Sequence, residues 1–453
     1  MNRKIFSVIC VLFLVFVTIA SAENAYRFHI VFRDKNKSHY SLEEPLKFLS
    51  QKALDRREHQ HISLDSTDLP VSAYYLKKVS KCSAAIAAIS KWNNSALITL
   101  LDSANIYQIL KLPFVKSAQW VWKGTLTPKL LTPDTLSIRH HRDSTYYGEA
   151  EAQINILNGQ RLHQAGFTGK GMTIAVIDGG FMNANKIPLL DSAKVLGTRN
   201  FVHPKLSVYD EQSHGTGVLS CMATNTPYEM VGTAPGAAYW LLISEDGYSE
   251  TPAEEDFWVS AAEYADSVGV DVINSSLGYF KFDNDSWDIT YNQLDGQYSL
   301  ISHTASMLAD KGIILVNSAG NSGMDSWKKI SVPADADNIL TVGAIDVNKR
   351  LAPFSSIGNS ADNRIKPDVM AMGAGCAVVR PNGKGVGRGN GTSFASPTLC
   401  GLVACLWQAC PDLDAKQLIE IVRRSGDRWN NPDNIFGYGI PDMWKAYLSV
   451  HPE

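Results

Sequence analysis

From residue 173 onward the chain sets short, uninterrupted apolar runs between helix-length segments: Thr173–Ile177, Ala238–Ile243, Val270–Asn274, Ile313–Asn317 and Ile339–Val342. A strand with one solvated face alternates apolar and polar residues, whereas a run that is apolar throughout needs cover on both faces. These runs therefore predict an α/β fold: a mostly parallel central sheet between two layers of helices. In such sheets ligands gather beyond the carboxyl ends of the strands. Residues just after the runs are thus the first place to look for chemistry.

Three segments answer that search. Asp178 closes the first run and is followed by Gly179 and Gly180, which let the backbone turn away. His214 opens a helix-like segment, His214 to Ala223, with glycines at 215 and 217. Ser393 sits in Gly391-Thr392-Ser393-Phe394-Ala395-Ser396-Pro397, a turn leading into the apolar, buried-helix pattern Phe394–Ala409. Acid, base and nucleophile in the order Asp, His, Ser form one of the unrelated orders that build a hydrolytic triad. Asn321, in Ser318-Ala319-Gly320-Asn321-Ser322-Gly323, lies just past another run and offers an amide for an oxyanion hole. Each segment alone also reads as ordinary structure: a strand-end turn, a core histidine or a helix cap. Their joint occurrence points to a serine endopeptidase.

The first 146 residues follow different rules. Arg3 and Lys4 precede the apolar run Ile5–Ile19, and Ala20-Ser21-Ala22 follows, so residues 1–22 read as a signal peptide cut after Ala22 rather than a membrane anchor. Residues 23–123 suggest a small α+β domain. Tyr26, Phe28, Ile30 and Phe32 alternate with Arg27, His29 and Val31 as a half-buried strand, and a Ser41-x-x-Glu44 capping pattern predicts a helix through Leu46, Leu49, Ala53 and Leu54. Strands are expected at Ser95–Leu101 and Val115–Trp122, with a short helix at Asn105–Lys111 between them. Residues 124–146 read as an exposed linker holding a maturation site, and 147–453 as the peptidase domain.

The formal charge of −3 gives no general attraction to nucleic acid. It hides an asymmetry: residues 23–123 carry 15 Lys and Arg against 9 Asp and Glu, and residues 124–453 carry 25 against 36. Opposite signs suit a prosegment held on an acidic enzyme; chance surface composition is the plainer reading. Of seven cysteines Cys10 falls in the signal segment; the other six (Cys82, Cys221, Cys376, Cys400, Cys405 and Cys410) lie scattered in apolar segments, unlike a disulfide scaffold, and most are expected to be buried.

Taken together, the motifs around Asp178, His214, Asn321 and Ser393 resemble those of the subtilisin-like serine proteases, the subtilases. The likeness runs from about Tyr147 to about Tyr447 and extends to Val231–Ala237, Val272–Gly278, Lys366–Val369 and Gly437–Asp442. It implies a subtilisin-like three-layer fold, with Asp178, His214 and Ser393 as triad and Asn321 with the Ser393 N–H as oxyanion donors. It also implies substrate binding along Ser275, Ser276, Leu277 and Gly278, with Ser331 at the pocket floor. Residues 26–123 are similar, more weakly, to the family's propeptide, which implies assisted folding, self-cleavage and inhibition in cis. Relatives often hold structural calcium; catalysis requires no cofactor, and no ligand cluster is evident in the sequence.

Three departures stand out: Gly179 where Ser or Thr is usual, Gly217 where His is common, and Ala371-Met372-Gly373 for Ala-Pro-Gly. The acidic stretch Glu245–Asp256 and the insertion Tyr279–Gln297 leave substrate choice open between basic side chains and an ordinary acidic helix start. The expectation is a secreted, monomeric endopeptidase zymogen acting on proteins or peptides. The alternatives are an inactive binding scaffold on the same fold and a narrow processing protease for basic sites.

Overall fold

A computed structural model describes residues 24–126, 131, 136–138 and 144–452. The signal-peptide reading of residues 1–22 and most of the linker lie outside the described residues. Within the linker, Ser137 N donates to Asn382 O at 2.8 Å, and Leu136 packs against a small apolar cluster that includes Tyr147 and Val379.

The N-terminal domain comprises β1 (Asn24–Phe32), α1 (Gln51–His59), α2 (Ala73–Ser80), β2 (Ala84–Ser90), β3 (Ser95–Leu100), α3 (Ile106–Leu110) and β4 (Val115–Thr125). Its antiparallel sheet has the order β2-β3-β1-β4. Ile30, Phe32, Tyr75, Val79, Ile98 and Ile109 fill the core beneath it. Two expectations change. The helix does not begin at Ser41, because Pro45 would fall where the first intrahelical N–H must donate back to the Ser41 carbonyl. It begins instead after Ser50, whose side chain accepts from Ala53 N. Nor is β1 half-solvated: Ala25 and Arg27 on its second face are 0% and 8% exposed.

The larger domain is built on a seven-stranded sheet: β5 (Thr173–Asp178), β6 (Lys194–Asn200), β7 (Ala238–Ile243), β8 (Val272–Ser275), β9 (Ile314–Ser318), β10 (Leu340–Ile345) and β11 (Val369–Met372). The order is β11-β10-β9-β8-β5-β7-β6, and every pairing is parallel. This is the subtilisin-like α/β fold the sequence suggested. The five foreseen runs are all strands, and nearly all of their residues are buried. The edge strand β6 and the four-residue β11 were not foreseen.

Helix α4 (His214–Ala223) packs against α7 (Thr392–Ala409), and α7 crosses β8 to β11. Helix α5 (Ala253–Val268) packs on β5 and β7, beside α6 (Leu300–Met307), and also against β1, β2 and β3. The second face of the small sheet, opposite the domain's own core, thus rests on α5. Ala25, Trp92, Leu97 and Trp122 join the core of the larger domain, a contribution of about 1.5–3 kcal/mol for a side chain such as Leu97. Among the described residues no helix is long and apolar enough to cross a membrane.

Candidate active site

Register places the site. Ile177 pairs with Ser275, and Ser275 with Asn317, across three neighbouring parallel strands. One residue further on, Asp178, Ser276 and Ser318 stand together at the carboxyl edge. Asp178 is fully buried there and receives the N–H of Gly179 at 2.8 Å. Helix α4 starts at this edge. A Cβ on Gly215 would meet Phe181 at 2.8 Å and the Asp178 Cβ at 3.0 Å, so only glycine lets the helix come this close. His214 then presents Nδ1 to Asp178, 2.9 Å from Oδ1 and 3.1 Å from Oδ2.

The charge of Asp178 favours the imidazolium and outweighs burial. With help from Glu245 it lifts His214 to about 9, above the ordinary histidine range. Burial, then repulsion from Asp178, pushes Glu245 up to about 7.

Ser393 occupies the first turn of α7, an 18-residue helix whose N-terminal N–H groups face the same edge. Its side chain is 8% exposed, and its hydroxyl donates to Ser276 O at 3.4 Å rather than to His214. In return Ser276 Oγ donates to Ser393 O at 2.9 Å. The expected relay is therefore closed between acid and base and open between base and hydroxyl. Such bonds commonly tighten only when substrate binds.

The oxygen of the Asn321 amide accepts from Thr392 N at 2.9 Å and from Thr392 Oγ1 at 3.0 Å. With that oxygen engaged, the NH₂ end of Asn321 is left as the donor toward the cleft.

His214, Ser393, Asn321, Ser276, Leu277, Gly278 and Ser331 line one cavity of about 480 Å³. Ser275 does not. Strand alternation turns it to the other face, where it is fully buried and accepts from Trp258 Nε1 at 3.0 Å. Of the stretch Ser275–Gly278 suggested for substrate binding, Ser276, Leu277 and Gly278 line the cavity. Sequence reasoning missed Gln212 and held Tyr279 and Phe280 only as the start of the insertion Tyr279–Gln297; all three line the cavity. Phe280 stacks on Trp327 with ring centres 4.8 Å apart, a pairing distant in sequence that no local pattern announces.

The acidic stretch Glu245–Asp256, open from sequence between recognition of basic side chains and an ordinary acidic helix start, is buried at Glu254, Glu255 and Asp256. Glu255 accepts Ile301 N at 3.0 Å and Asp256 meets His29 at 2.7 Å, so these carboxylates serve packing and docking as well as the helix dipole.

The model of the Subtilase family matches residues 169–439, and the model of the Peptidase S8 propeptide domain of Bacteroidota matches residues 27–134. The chain is 28% identical over 322 residues to the serine protease AprX of Bacillus subtilis (strain 168), covering 64% of this chain and 68% of that protein. It is 29% identical over 291 residues to subtilisin DY of Bacillus licheniformis, covering 63% of this chain and 93% of that protein. The family match spans more than half of the chain, over the very strands and helices that carry Asp178, His214, Asn321 and Ser393. The chain belongs to the subtilase family.

Proposed function

We propose that this serine endopeptidase is made as a secreted zymogen and cleaves proteins or peptides through Asp178, His214 and Ser393. One observation carries the reading: the Asp178–His214 hydrogen bond opens onto a cleft that also holds a serine at a helix N-terminus and the NH₂ end of the Asn321 amide. A peptide laid along Ser276–Gly278 as an added strand brings its carbonyl to Ser393. The hydroxyl turns from Ser276 O to His214 Nε2, gives up its proton there and bonds to the carbonyl carbon.

Asn321 Nδ2 and the Ser393 N–H hold the resulting oxyanion. His214 then passes its proton to the leaving amine, and water releases the acyl group by the same path. Asp178 fixes the tautomer and steadies the imidazolium. The N-terminal domain, docked on α5, restrains the enzyme until the linker within 124–146 is cut.

The Ser393–Ser276 bond is the one observation that favours the rival reading, an inactive scaffold. Purified wild-type chain and Ser393→Ala chain, incubated and sequenced from their N-termini, separate the two. Cleavage within 124–146 in wild type alone supports the peptidase, and identical patterns in both chains refute it.

A further inference from the structure

Glu245, Glu250 and Glu254 each direct a carboxylate oxygen to one place, and these oxygens lie within 4.8 Å of one another. Two come from the loop after β7 and the third from the first turn of α5. Among the described residues none of the three forms an ion pair with Lys or Arg; His214 and Arg27 act on Glu245 and Glu254 only through space.

A second observation points to a ligand. Glu254 is 1% exposed; Oε1 accepts Thr251 N at 3.3 Å, while Oε2 is buried with no hydrogen-bond partner. Tyr279 is 2% exposed, and its hydroxyl also lacks a partner. The charges acting most strongly on that hydroxyl are those of Glu254, Glu245 and Glu250, so it faces the same place. Buried polar groups of this kind almost always have a partner in folded proteins.

We propose that Glu245, Glu250 and Glu254, with the Tyr279 hydroxyl beside them, bind one divalent, oxygen-preferring cation of the calcium type in the wall of the cleft. Calcium–oxygen distances of about 2.4 Å require ligands of one ion to lie within about 4.8 Å of one another, a bound these oxygens meet. Carboxylate and phenol oxygens suit a hard cation, and calcium tolerates an irregular ligand shell. A substrate ammonium entering from the cleft meets Glu245 and Glu250, which line it, but not the enclosed Glu254. It also balances only one of three negative charges.

Gly179 fits this scheme. A Cβ there would stand 2.9 Å from Glu245 Oε2, so the glycine found where relatives carry Ser or Thr leaves room for the carboxylate. The bound ion would tie the 245–250 loop to α5 and to Tyr279, next to Leu277 and Gly278.

The test is calorimetric titration of the full chain carrying Ser393→Ala, stripped with a chelator, with Ca²⁺, Mg²⁺ and n-butylammonium in separate runs. The expected result is uptake of one Ca²⁺ per chain and a higher melting temperature. Affinity should fall by about tenfold or more in both Glu254→Gln and the partly exposed Glu250→Gln, because affinity follows ligand charge. No Ca²⁺ uptake, uptake unchanged in both variants, or a response to n-butylammonium alone would overturn the proposal. Binding heat does not depend on peptidase activity, so this result stands apart from the fate of the catalytic reading.

Discussion

His29 Nδ1 lies 2.7 Å from Asp256 Oδ1 across the boundary between the N-terminal domain and helix α5. Burial opposes a charge on this histidine, but Asp256, with Glu255 behind it, outweighs burial and raises its pKa above 6.5. Docking by this pair is therefore complete below the ordinary histidine value and fades as pH rises through the raised one. Inhibition by the N-terminal segment added in trans should weaken with rising pH across that window. His29→Gln should flatten the dependence, and an unchanged slope in that variant would refute the assignment.

Asp266 is the second anchor. Arg56 at 2.6 Å, Arg57 at 2.9 Å and Lys91 at 2.8 Å converge on this fully buried carboxylate. Burial alone would raise its pKa, yet the three cations hold it well below the usual range. Asp266→Ala leaves Arg56 and Lys91 without their carboxylate, while Arg57 keeps Asp68 at 2.9 Å, and should destabilise the docked domain by about 3–5 kcal/mol. Denaturant unfolding of the Ser393→Ala chain, with and without the second substitution, measures the difference.

Much of this arrangement was legible in advance, and the exceptions share a cause. Runs such as Thr173–Ile177 announce buried parallel strands because nothing else hides so many apolar residues in so short a span. The edge strand Lys194–Asn200 is mostly exposed, so its residues carry no such signature. Arg27 and His29 look like a solvated face until α5 supplies Phe257 against Arg27 and Asp256 beside His29. Ser275 and Ser276 differ only in strand alternation, which a motif match does not resolve; the backbone sends one to Trp258 and the other to the cleft.

Asp178 is the largest cause of the raised His214 pKa, so a neutral imidazole requires alkaline conditions. The acid limb of kcat/KM should lie well above the ordinary histidine value, toward about 9. Asp178→Asn should move that limb to lower pH and reduce kcat on the order of 10⁴-fold, because the tautomer is no longer fixed. Rate profiles of the two forms decide the matter; a limb at the same pH in both would contradict it.

In the proposed mechanism Asn321 contributes only once negative charge has formed on the substrate oxygen. Asn321→Ala should lower kcat by about 10²–10³, a magnitude known for such a donor in a subtilisin, while KM changes little. A loss confined to KM would instead make Asn321 a ground-state contact.

The central claim is that His214 and Asp178 activate Ser393 despite its resting bond to Ser276. A fluorophosphonate probe, located by mass spectrometry on processed protein, tests it most directly. The account predicts a single adduct on Ser393, lost in His214→Ala. Folded, processed protein that stays unlabelled at Ser393, or labels equally well without His214, would contradict it.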